Sequence, residues 1–81
     1  MLNDQQIIEQ GSQAETLLSS DAFTKTVRGL LDNYVSVFFS TEPLQTDERQ
    51  AAYFGARAMN EIINTLNQQV SMKDQILQSK E

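Results

Sequence analysis

Ser40-Thr41-Glu42-Pro43-Leu44-Gln45 is the clearest interruption in the chain, and it separates two long stretches with helical apolar spacing. Pro43 has no N–H to donate, and its ring disfavours helical geometry at Glu42. A helix arriving from the N-terminal side is therefore expected to stop by about Thr41. Thr46 is the expected N-cap of the next helix, with Asp47 and Glu48 in its first turn, where the positive end of the helix dipole favours acidic side chains. A short connection between two long amphipathic helices makes an antiparallel hairpin.

Upstream of the turn, Phe23, Val27, Leu30, Tyr34 and Phe38 form the main apolar stripe, and Leu31, Val35, Val37 and Phe39 broaden it. Ser20 or Asp21 supplies the N-cap. The run Tyr34–Phe39 is β-branched and aromatic enough for a strand, but no second stretch exists to pair with it. Earlier still, Ile7, Gly11, Ala14 and Leu18 recur at helical spacing from about Asp4 to Ser19, with Ile8 and Leu17 beside them.

Downstream, Ala52, Ala56, Met59, Ile63, Leu66 and Val70 alternate steps of four and three, a heptad seam. Lys73 and Leu77 continue that register, with Lys73 placing a charge on it. Ser71, with Asp74 three residues later, resembles a capping box. A kink or restart near Gln69–Ser71 therefore stands beside one continuous helix. The expected fold is all-α, an antiparallel helical hairpin of two long helices plus an N-terminal helix. It forms a single domain over residues 1–81, either as a three-helix bundle or as an extended hairpin.

At 81 residues the chain is near the lower limit for a self-sufficient core. Chains of this size need disulfides, a metal, very good helix packing or a partner subunit. Cysteine and histidine are both absent, which removes disulfides, thiol chemistry, the commonest general base and the commonest metal ligand. No serine sits in a Gly-x-Ser-x-Gly turn, and no glycine-rich phosphate loop or calcium-type acidic spacing occurs. Asp47 and Glu48 are adjacent, so on a helix they diverge rather than act as an acid–base pair. Lys25 and Lys73 could serve as nucleophiles only if desolvated, and the sequence offers nothing that clearly buries them. A non-enzyme without cofactor or metal is expected.

Six basic residues face eleven acidic ones, a net charge of −5. Lys25, Arg28, Arg49, Arg57, Lys73 and Lys80 are scattered rather than clustered, so no direct nucleic-acid binding is expected. The N-terminus lacks the pattern of a secretory signal. The longest apolar run, Val37-Phe38-Phe39, is far short of a membrane span. A soluble protein without a membrane partner follows as an expectation.

Folding about Pro43 sets Phe38 near Ala52, Leu31 near Ala56, and Val27 near Asn60 and Ile63. Small residues (Ala51, Ala52, Gly55, Ala56, Ala58) then face large ones (Tyr34, Val37, Phe38, Phe39), which lets the backbones approach closely. Leu31, Phe38, Met59, Ile63 and Leu66 are the expected core. The third helix outruns the second beyond Leu66, and the first can cover that overhang either in line or by folding back. Val35 and Phe39 point away from the seam, so either the first helix covers them or a partner does. With Tyr53 and Ile62 they form the candidate interaction set.

Several fragments together carry a family resemblance. Ile7-Ile8-Glu9-Gln10-Gly11-Ser12-Gln13-Ala14-Glu15-Thr16-Leu17-Leu18 leads into Ser20-Asp21-Ala22-Phe23. Thr41-Glu42-Pro43, Asp47-Glu48-Arg49-Gln50-Ala51-Ala52-Tyr53 and Ala58-Met59-Asn60-Glu61-Ile62-Ile63 follow. This resembles the small helical proteins encoded by tailed bacteriophages, often among their virion structural genes. Beyond Leu66 the chain departs from that pattern, with Val70-Ser71-Met72-Lys73-Asp74 in place of a glycine-bearing break.

The resemblance implies a phage setting, a place in the virion or host cytoplasm, and a role in the particle or its assembly. It brings no catalytic residue. The expected partners are a second copy of the chain, giving a homo-oligomer, a larger virion protein, or both. The alternative is a phage-encoded acidic inhibitor of a host nucleic-acid-binding defence protein, and a small bacterial adaptor or regulator is a third class.

Overall fold

A computed structural model describes residues 2–80 as three α-helices: α1 (Asp4–Leu18), α2 (Asp21–Ser40) and α3 (Thr46–Ser79). Each start has a local cause. Asn3 caps α1 by accepting from the Gln6 N–H, while the Gln6 side chain accepts from the Asn3 N–H, a reciprocal box. Ser20 caps α2 by accepting from the Phe23 N–H at 3.2 Å. The α2 helix ends at Ser40, with Thr41 as C-cap, as Pro43 requires.

The N-cap of α3 is Gln45 rather than Thr46, and its side chain makes no cap hydrogen bond to the helix. Gln45 instead closes the turn, its Oε1 accepting from the Glu42 N–H at 2.7 Å and its own N–H donating to the Glu42 carbonyl at 2.9 Å. The side chain that could cap the helix is thus a brace for the Pro43 loop.

The Ser71–Asp74 pattern starts no new helix, because α3 runs unbroken for 34 residues. Together α1 and α2 contain almost the same number of residues, so laid end to end they match its length. That is the arrangement adopted. Both α1 and α2 pack on α3 and share little contact with each other, which makes an extended hairpin of 56 × 27 × 16 Å. The fold-back alternative is not formed.

Two glycines set the approach of the arms to α3. A Cβ on Gly55 would lie 2.6 Å from Cζ of Tyr34, so the Tyr34 ring lies directly on α3 where it has no side chain. Tyr34, more than Leu31, therefore occupies the small-residue stretch, while Leu31 lies with Val27 along Asn60 and Ile63. On the other arm, a Cβ on Gly11 would meet the Gln69 carbonyl oxygen at 2.7 Å and the stem of Lys73.

The core is thin. Among the described residues, the buried hydrophobic side chains are Ala14, Val27 and Ala52. Leu31, Phe38, Met59, Ile63 and Leu66 line the seam as expected but are half-buried, since only one helix covers α3 at any level. Leu30 and Leu77, expected on the apolar stripes, are exposed, and Ile76 turns inward instead of Leu77.

Candidate protein-binding surface

The end of the hairpin carries the largest concentration of uncovered apolar side chains. Phe39 is 79% exposed, Leu44 93%, Phe54 60% and Tyr53 50%. Because α1 runs in line rather than back, no described residue covers the face of α2 that carries Phe39. The corner itself is rigidly built. Nη1 of Arg49 donates to the Thr41 carbonyl at 3.2 Å and to its hydroxyl at 3.3 Å, and the guanidinium lies 4.4 Å from the centre of the Phe38 ring. Arg49 thus supplies positive charge to the C-terminus of α2, where the helix dipole is negative, and ties α3 to it.

On that frame, Val35, Phe39 and Tyr53 meet around an open apolar groove of about 180 Å³, with Ala52 and Ala56 between them. Phe38 and Phe39 stand edge to face at 5.7 Å, and Tyr53 and Phe54 at 5.5 Å. These aromatic pairs hold the rings upright at the surface. Tyr53 also borders a second shallow groove with Phe54, Gln50 and Arg49.

The structure brings together three of the four candidate residues, Val35, Phe39 and Tyr53. Ile62 is separate. It lies nine residues beyond Tyr53 on α3, two and a half turns, which carries it to the opposite side of the helix. There it borders a shallow depression with Ala58, Glu61, Thr65 and Leu66.

The sequence pattern does not single out Phe54 or Leu44. Phe54 points straight away from the seam, where periodicity predicts a solvated residue, and Leu44 sits in the loop, where periodicity is silent. In the sequence Arg49 is one of six scattered cations, and its inward turn has no sequence signal beyond its place in the first turn of α3.

Lys73 differs from its expected exposure. Its side chain is only 12% exposed, the stem lying on Gly11 and the ammonium paired with Glu15. It is a snorkelling seam residue held by a carboxylate. Among the described residues no group of His, Cys, Asp or Glu is placed to hold a metal ion. No described helix is long and apolar enough to cross a membrane.

The sequence matches no family model, no curated protein and no solved structure.

Proposed function

We propose that the chain is a non-enzymatic protein-binding module that presents the hairpin tip to a protein partner and serves in a bacteriophage particle or its assembly. The observation that carries the binding part is Phe39, 79% exposed beside a groove shared with Val35 and Tyr53 and left open by the in-line course of α1. Exposed apolar clusters of this kind mark interaction surfaces. The phage setting draws on the sequence pattern from Ile7 to Ile63. Mass spectrometry of purified particles of the encoding phage tests it. The expected result is the protein at near-stoichiometric amounts, and its absence from both particles and assembly intermediates overturns the virion role.

A second reading, an acidic inhibitor of a host nucleic-acid-binding protein, draws on the same tip. Glu42, Asp47 and Glu48 are all exposed there, while the nearest cation, Arg49, is turned inward on Thr41 and Phe38. Capture of a basic host protein that is released by moderate salt favours it.

A further inference from the structure

Resting on the reading of the tip as a protein-binding surface, we infer that its first occupant is a second copy of this chain, seated so that each Phe39 enters the other's groove. Three observations support this. The chain exposes 6117 Å², whereas a compact monomer of this length exposes roughly 4,900 Å². The excess, on the order of 1,200 Å² over the whole length of the hairpin, leaves room for the approximately 800 Å² that one partner contributes to a standard stable interface. The radius of gyration, 16.9 Å against roughly 12 Å for a compact chain, gives the same picture of a layer lacking its opposite layer.

The groove and the side chain also fit each other. An apolar cavity of roughly 150 Å³ admits a benzene ring, and the groove between Val35, Tyr53 and the two alanines measures about 180 Å³. The most exposed ring in the chain, Phe39, stands on its rim. A two-fold axis beside that rim places each ring in the other groove and uses one patch on both copies, which is how an isologous dimer closes. The tip becomes a four-helix unit, and Val35, Phe39 and Tyr53, which are exposed in the single chain, acquire the cover that α1 does not give.

Sedimentation equilibrium of the full chain over a wide concentration range tests this, with helicity followed by circular dichroism. The wild-type protein is expected to dimerise. Phe39→Glu, which brings a carboxylate into the apolar groove, is expected to weaken dimerisation by about 100-fold or more. Ile62→Glu, on the opposite side of α3, is expected to leave it unchanged. A benzophenone amino acid in place of Phe39 provides a readout independent of variant stability, with photo-crosslinks expected within residues 52–56 of the other copy. A monomeric wild type at high concentration, a helical Phe39→Glu that still dimerises, or crosslinks confined to other segments each overturn the inference. A monomer that is nonetheless found in particles removes this dimer and leaves the binding role intact. A dimer absent from particles removes the virion role and leaves the dimer.

Discussion

The stem of Lys73 lies on Gly11, and its ammonium reaches past the edge of α1 to Glu15. This one contact explains how a charged residue occupies a heptad seam. Glycine removes the side chain that would hold the helices apart, the methylenes of lysine fill the space, and the charge leaves the interface.

Gly11 and Gly29 are expected to respond oppositely to alanine. Both gain helix propensity of roughly 0.5–1 kcal/mol from the change. At Gly29 a new Cβ meets nothing within 4 Å, so Gly29→Ala should stabilise the protein by about that amount. At Gly11 it collides with the Gln69 carbonyl and Lys73, and overpacking of this kind costs about 1–3 kcal/mol. Thermal or urea melts of the two variants give the signs directly.

Lys73→Met keeps the stem and loses the ion pair, whose Glu15 end is 47% exposed. A partly exposed pair contributes only about 0.5–1 kcal/mol, so Lys73→Met should unfold close to the wild type. Lys73→Ala removes the cover over Gly11 and should cost on the order of 1–2 kcal/mol more. If the two variants melt together, the stem contributes nothing to holding α1.

Arg49→Ala should loosen the hairpin corner by about 1–2 kcal/mol, through loss of the Thr41 hydrogen bonds and the stacking on Phe38. The protection of amides near the end of α2 against hydrogen exchange should fall first, since that end depends on the tie. Uniform loss along the chain would show that Arg49 has no special hold on the corner.

Ile63→Ala should cost about 2 kcal/mol, near the lower end for such truncations, because the seam is half-buried rather than enclosed. An unchanged midpoint in urea would mean that α2 and α3 do not pack along Val27, Leu31 and Ile63.

Dimerisation through the tip should tighten as salt is raised. Each copy carries a net charge of −5, so the apolar contact forms against like-charge repulsion. That repulsion is screened as the Debye length falls from about 30 Å at 0.01 M to about 10 Å at 0.1 M. Concentration-dependent sedimentation at those two ionic strengths measures the shift. Weakening with salt would point to an ionic interface instead.

The candidate surface was partly legible. Val35 and Phe39 declared themselves because α2 is apolar over more of its circumference than one neighbouring helix can cover. Tyr53 joins them because it flanks the seam on the same side. Ile62 flanks the seam as well, but a sequence stripe does not say which side of a hairpin a flank belongs to until its register against the other helix is known. Leu44 carried no signal, since exposure in a two-residue-wide loop tip depends on how Pro43 and Gln45 fold it.

The order of residues was enough to determine three helices, the Pro43 turn, the facing of small residues on α3 with large ones on α2, and an excess of apolar surface. Each depends on interactions within a few residues or on matching two stripes across a short turn. The course of α1 was not determined in that way. Its Ile7, Gly11, Ala14 and Leu18 stripe is equally suited to lying in line or folding back, and the outcome rests on the joint where Ser20 is extended, at φ −76° and ψ 119°. Packing decided it: α1 and α2 end to end match the length of α3, and Gly11 lets the backbones meet at Gln69 and Lys73. The same choice leaves Phe39 uncovered, because a helix used to cover the far half of α3 is no longer available to cover the tip.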